Sequence, residues 1–141
     1  MTLFKVSVDS LAAEPFLKEL LADLEDLYGQ MDRLYAQAAA HYGFECTGCT
    51  ENCCLTRFYH HTFLEYIYLR KGFAGLSVSK QAAARQRAEE YLDVLAQSEC
   101  GENDPPFRRM CPVNESGWCL LYAWRPMICR LHGIPHEFAP P

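Results

Sequence analysis

The spacing of its cysteines constrains the fold of this chain more than any other feature of the sequence. Seven of the eight cysteines fall into two groups, one between residues 46 and 54 and the other between residues 111 and 129. A two-residue gap between cysteines lets a tight turn direct both sulfurs at one metal ion. If the two groups serve one centre, the fold must bring two distant segments together.

The first group contains four thiols in nine residues: Cys46, Cys49, Cys53 and Cys54. Gly48 supplies the backbone freedom that a tight turn between the first two needs. A disulfide between the adjacent Cys53 and Cys54 would be strained. Four ionised thiols this close repel one another unless a cation takes up their charge. The spacing therefore favours a metal site over a disulfide.

The second group, Cys111, Cys119 and Cys129, lies in a segment rich in proline and aromatic residues. Arg125 and Arg130 lie within four residues of Cys129. We expect both arginines to bind the cofactor, because four thiolates on Zn²⁺ or on a 4Fe–4S core leave a negative charge to be neutralised nearby. The remaining cysteine lies apart from both groups and is interpreted as an ordinary thiol.

Pro126 favours the first turn of a helix, which would carry Cys129 inward. Arg125 would then lie at the entrance to that turn. From there we expect its planar fork of donors to reach a cysteine sulfur or a backbone carbonyl of the first group.

The rest of the sequence predicts a mostly α protein, a small single-domain helical bundle with a cysteine-rich metal-binding loop region. Apolar residues at helical spacing predict an amphipathic helix over 15–40, with Gly43 at its exit. Further helices are expected over 57–70 and from Ser77 or Ser79 to about Gln97. No strand of length is evident. We divide the chain into an N-terminal helix packing on the domain (1–43), a cysteine-cluster domain (44–132) and an irregular tail (133–141).

Composition excludes several classes of function. The net charge of −5 argues against nucleic-acid binding, which needs a positive face. No run of 18 apolar residues is present, so no membrane span is expected. The N-terminus lacks the pattern of a secretory signal, so a cytoplasmic location is expected, where cysteines serve as ligands or redox groups. The heptad-like spacing of the first helix leaves open a homodimer through that helix.

The motifs CTGCTENCC, CP, GWC, LYAWRP and CR together resemble the YkgJ-like cysteine-cluster family of zinc- or iron-chelating proteins. The resemblance spans roughly residues 44–132 and implies chelation by all seven clustered cysteines. It also marks Pro112, Tyr122, Arg125, Pro126 and Arg130. The chain departs from the family pattern in having three residues, not two, between Cys49 and Cys53. Which of Cys53 and Cys54 takes each ligand position stays open.

Three functions compete at this point. The first is a binding protein with a structural metal, with a zinc ion as the expected cofactor, since closed four-sulfur sites leave no position for substrate. The second is an iron or 4Fe–4S redox protein, or an accessory protein to an oxidoreductase or methylase. The third is an enzyme, for which the sequence offers no nucleotide-binding glycines and no nucleophile–base pair.

Overall fold

The computed structural model describes residues 15–45, 53–57, 62–98 and 107–132. This part of the chain is mostly helical, as the sequence predicts. Its α-helices are α1 (Pro15–Tyr42), α2 (Phe63–Ala74), α3 (Val78–Gln97) and α4 (Met127–Arg130). Short 3₁₀ turns cover Cys53–Leu55 and Tyr122–Trp124, and an antiparallel hairpin joins β1 (Asn114–Glu115) to β2 (Trp118–Cys119). Segments 1–14 and 133–141 lie outside the described residues.

Helix α1 ends where the sequence places its exit. Gly43 takes a positive φ of 65°, a conformation that costs glycine little. The next amide, that of Phe44, donates to the carbonyl of Ala39 at 2.8 Å. This bond spans five residues and satisfies one of the carbonyls left free at the helix end.

Helix α2 begins at Phe63 rather than at residue 57, because Thr62 provides a capping box. Its hydroxyl accepts the amide N–H of Glu65, and the Glu65 carboxylate accepts the N–H of Thr62. The two groups satisfy amides that would otherwise lack partners in the first turn. Helix α3 begins after Ser77, whose hydroxyl accepts the N–H of Lys80. The predicted serine cap is confirmed.

The hydrophobic core lies between α1 and α2. Leu21 and Tyr28 of α1 are buried against Ile67 and Tyr68 of α2. The two tyrosine rings meet edge to face with their centroids 5.6 Å apart, a geometry that aromatic pairs favour. Part of the apolar face predicted for the first helix therefore packs against α2, whereas Leu27 and Leu34 on the same helix stay exposed.

Trp124 closes one end of this core by lying directly on α2. Its ring centroid is 4.7 Å from that of Tyr68. A Cβ atom added at Gly72 would overlap Cγ of the indole, so only glycine allows this approach. The contact fixes the 3₁₀ turn against α2 and so sets the starting position of α4.

The hairpin was not expected from the sequence, because two-residue strands carry no alternating pattern. Its turn consists of Ser116 and Gly117, with φ values of 53° and 90°. Two successive positive φ values are typical of the tight turns that match the twist of paired strands. The register places Asn114 opposite Cys119. The turn therefore brings a cysteine beside the start of β1.

No helix within the described ranges is both long and apolar enough to cross a membrane.

Candidate functional site

All five clustered cysteines that the structure describes line one cavity of about 400 Å³. They come from four parts of the fold: the first 3₁₀ turn, the segment before β1, strand β2 and helix α4. These residues are Cys53, Cys54, Cys111, Cys119 and Cys129. The two cysteine groups, more than fifty residues apart in sequence, therefore meet in the fold.

Backbone hydrogen bonds hold the two groups together. The amide of Cys111 donates to the carbonyl of Cys54 at 2.7 Å. The amide of Asn114 in turn donates to the carbonyl of Cys111 at 2.9 Å. Because Asn114 also pairs with Cys119 across the hairpin, three cysteine-bearing segments form a continuous hydrogen-bonded unit.

The Cys54 thiol is more acidic than those of Cys111, Cys119 and Cys129. The pKa of Cys54 is lowered to about 6, and the largest cause is a hydrogen bond from Cys53. Burial opposes this effect but is smaller, and the Asn114 side chain and the charge of Arg125 lower the pKa further. Cys54 is therefore an ionised thiolate at neutral pH. Thiolates, rather than thiols, ligate metals and act as nucleophiles.

The thiols of Cys111, Cys119 and Cys129 resist ionisation. Burial raises the pKa of Cys111 to about 11 and that of Cys129 to about 12, and the negative charges of neighbouring cysteines add to the shift. Burial and the charge of Cys54 also raise the pKa of Cys119. These thiols therefore repel one another's charge, and they ionise readily only when a cation is present to offset it.

Arg125 lines the cavity, as its predicted role requires. Its guanidinium lies 3.5 Å from the centroid of the Tyr122 ring, and its Nε donates to the Tyr122 carbonyl at 2.7 Å. The backbone acceptor therefore belongs to the neighbouring 3₁₀ turn rather than to the first cysteine group. The positive charge lowers the pKa of Cys54, Cys119 and Cys129, though for the last two burial outweighs it.

Arg130 occupies a different place, outside the cavity lining. It is 3% exposed, pairs with Asp32 of α1, and donates to the carbonyls of Arg125 and Ala123. Its guanidinium also lies 4.2 Å from the centroid of the Tyr28 ring. In this position Arg130 ties α4 to α1 and orients the helix that carries the neighbouring cysteine.

The lining of the cavity has a distinctive charge pattern. Its described titratable groups are cysteine, tyrosine and arginine, the arginines being Arg57, Arg109 and Arg125. Among the described residues of that lining there is no carboxylate or imidazole group, so sulfur is its main potential metal donor. Sulfur-rich donor sets select Zn²⁺, Cu⁺ and iron–sulfur centres over hard cations such as Mg²⁺.

Within the described residues, no three Cys, His, Asp or Glu side chains converge closely enough to hold a metal ion. The thiols instead surround the cavity. Cys46 and Cys49 lie outside the described residues, so the predicted four-thiol first group is described only at Cys53 and Cys54.

Sequence reasoning missed two contributions to the site. Leu69 of α2 and Leu92 of α3 line the cavity, although both helices were interpreted only as packing elements. Asn114 was also missed, although it is 6% exposed and bonded to the backbone of Cys111. Its position two residues before a Ser-Gly turn is the sequence signal that could have identified it.

Comparison with known proteins adds no relative. No protein-family model, curated protein or solved structure matches the chain. The likeness to the YkgJ-like family therefore depends on the cysteine, proline and arginine spacing alone.

Proposed function

We propose that the protein binds a thiophilic metal through the two cysteine groups jointly. The supporting observation is that five cysteines from four separate elements line one cavity in which arginine supplies the positive charge. A cysteine that serves only as a small core residue packs equally well against other apolar side chains, so packing alone does not explain why these cysteines cluster. Burial is the main cause of the raised pKa of Cys111 and Cys129, and repulsion between the thiolates adds to it. A bound cation would offset that repulsion.

The first candidate is Zn²⁺ in a closed, structural four-sulfur site. Such an ion would link the 3₁₀ turn at Cys53–Leu55 to the hairpin and to α4. Because the described thiols surround the cavity without converging, binding would draw these elements together. The metal would thus complete the folding of the cysteine segments, while α1 and α2 keep a hydrophobic core of their own.

The second candidate is an iron–sulfur cluster, and the size of the cavity favours it. A volume of about 400 Å³ falls within the range of small-molecule sites and exceeds the need of a single ion held at 2.3 Å from its sulfurs. A polynuclear centre ligated by cysteine would use more of this space. In that case the protein would transfer electrons or assist an oxidoreductase or methylase.

Anaerobic purification of the full chain tests the proposal and separates the candidates. A brown solution with iron and acid-labile sulfide supports the cluster, and a colourless one with stoichiometric zinc supports the structural ion. Protein that holds neither metal, and takes up none when Zn²⁺ or Fe²⁺ and sulfide are added, would rule out the proposed function.

Single substitutions test whether the two groups act jointly. Cys111→Ser and Cys129→Ser should lower metal content as much as Cys49→Ser. Cys100→Ser, outside both groups in sequence, is the matched control and should leave the content unchanged. Full metal content in both second-group variants would contradict joint coordination.

A further inference from the structure

Two buried side-chain nitrogens in the described part of the chain have no hydrogen-bond partner: Nδ2 of Asn114 and Nη2 of Arg87. Both are donors, and both belong to residues that contact the cysteine segments. Leaving a buried donor without an acceptor costs about 1–3 kcal/mol. Two such costs in one small region suggest that the acceptors belong to the functional state of the site.

Asn114 is surrounded by cysteine-bearing segments on three sides. Its amide N–H donates to Cys111, it pairs with Cys119 across the hairpin, and its side chain approaches the Cys54 sulfur. The Oδ1 atom is already used, because it accepts the N–H of Gly117 at 3.1 Å. This bond fixes the orientation of the amide, so Nδ2 is held on the side of Cys54 without completing a hydrogen bond.

Arg87 reaches the same segment from α3. Its Nε donates to the carbonyl of Pro112 at 2.8 Å, and Nη1 lies 3.9 Å from the Glu115 carboxylate. These contacts hold the planar group against the backbone next to Cys111, whose pKa its charge lowers while burial raises it. The third nitrogen, Nη2, is the one left without an acceptor.

We infer that Asn114 and Arg87 are positioning residues that donate N–H···S hydrogen bonds to the anionic sulfurs of the proposed metal centre. The inference rests on the proposed function and extends it to the groups that orient and stabilise the ligands. A protonated thiol is a weak acceptor, whereas hydrogen bonds to an ionised acceptor are about twice as strong as neutral ones. The two donors are therefore satisfied when the nearby sulfurs are ionised and bound to metal.

This arrangement also explains why the donors differ in chemistry. The Asn114 amide carries no net charge, so it can orient Cys54 without changing the charge balance of the cavity. The Arg87 guanidinium adds a positive charge beside Cys111, the more buried of the two thiols. Outer groups of this kind typically change metal affinity by about 10- to 100-fold.

Asn114→Asp separates the role of Nδ2 from the structural role of Asn114. Aspartate keeps the oxygen that accepts the Gly117 N–H, so the hairpin turn is retained, but it replaces the donor with an oxygen that repels a thiolate. With Co²⁺ as the probe, we expect affinity to fall about 10- to 100-fold. In the parent, a hydrogen bond lowers the energy of the sulfur lone pair. Its loss in Asn114→Asp raises that energy, so the sulfur-to-cobalt charge-transfer band should move to longer wavelength.

The matched control is Gln97→Glu, the same amide-to-carboxylate change at an exposed position on α3. The thermal midpoint of the metal-free protein should be similar for Asn114→Asp and its control.

A second pair of variants tests Arg87. Arg87→Gln should weaken Co²⁺ binding and shift the band. Arg85→Gln, two residues away on the exposed side of α3, should do neither.

Each outcome of this experiment is decisive. A parent protein that binds no Co²⁺, Zn²⁺ or iron overturns the proposed function and the inference with it. A parent that binds Co²⁺, together with an Asn114→Asp variant of unchanged affinity and unchanged band position, overturns the inference alone. Weaker binding with an unmoved band would assign Asn114 a structural role only and would also overturn it.

Discussion

The helical core and the region around the cysteine cavity differ in whether their buried polar groups have hydrogen-bond partners. In the core, Glu65 is 4% exposed and accepts hydrogen bonds from Tyr28, from the amide of Met127 and from Thr62. Beside the cavity, Nδ2 of Asn114 and Nη2 of Arg87 are buried without acceptors. Native proteins rarely leave buried donors unpaired except where function requires it. The difference thus separates a region whose buried carboxylate is fully paired from one that leaves two buried donors free, as the proposed metal centre requires.

Arg130 and Arg125 differ in the same way, one belonging to the core and the other to the cavity, although they lie in one short segment. Arg130 is buried and joined to Asp32 and to two carbonyls. Arg125 lines the cavity, with Nε bonded to Tyr122 and its charge acting on three cysteines. The two residues flank Cys129 in sequence but serve different regions, the first by holding α4 in place and the second by acting on the thiols.

Removing the central carboxylate of the core should have the largest effect on stability. Glu65→Ala leaves the buried Tyr28 hydroxyl and the Met127 amide without their acceptor, so the free energy of unfolding should fall by roughly 3–5 kcal/mol. Urea unfolding of chelator-treated protein measures this, with Glu89→Ala on the exposed side of α3 as the control. A loss below about 1 kcal/mol would mean that the core does not depend on its polar groups.

Overpacking the contact between α2 and Trp124 should have the next largest effect. Gly72→Ala forces the indole to move, so the free energy of unfolding should fall by about 1–3 kcal/mol. Gly75→Ala is the control on the same helix end, because its added Cβ meets only backbone oxygens, the nearer at 3.4 Å, and its φ is −78°. Equal thermal midpoints for the two variants would contradict the close packing of Trp124.

The pH dependence of zinc affinity should distinguish the cavity thiols from one another. With a pKa raised to about 12, the Cys129 thiol is protonated at neutral pH, so binding must release its proton and affinity rises with pH. Cys54, with its pKa lowered to about 6, is already ionised above pH 7 and contributes no such dependence. Each thiol that releases a proton adds about tenfold in affinity per pH unit, or roughly 1.4 kcal/mol.

A competition titration between pH 7 and 8.5 measures these slopes. In Cys129→Ala the slope of log affinity against pH should be smaller by about one than in the parent, because one proton fewer is released. In Cys54→Ala the slope should be unchanged, although the affinity itself falls. Identical slopes in the parent and the Cys129 variant would exclude Cys129 from the ligand set.

The smallest expected effect comes from a single hydroxyl of the core. Tyr28→Phe removes the donor to Glu65 but keeps the ring that packs on Tyr68, so the free energy of unfolding should fall by about 1 kcal/mol. Tyr42→Phe, at an exposed position, is the control. A Tyr28→Phe variant as stable as the parent would show that Thr62 and the Met127 amide suffice to satisfy Glu65.

Much of the helical architecture could be predicted because it depends on local signals. The apolar spacing of α1, the Ser77 cap of α3 and the glycine after α1 act over one or two turns of chain. The start of α2 could not be placed as well, because its aromatic residues begin before the Thr62 cap that determines the first turn. The hairpin escaped prediction because its strands have only two residues each.

The sequence by itself identified the candidate residues: cysteines at metal-ligand spacing, with arginines beside them. Only the tertiary structure decided that the five described cysteines of the two groups share one cavity, and that Arg125 lines it while Arg130 does not. The physical reason is the range of the interactions. Spacing within a turn is fixed by the covalent chain, whereas the meeting of segments more than fifty residues apart depends on the packing of α1, α2 and Trp124.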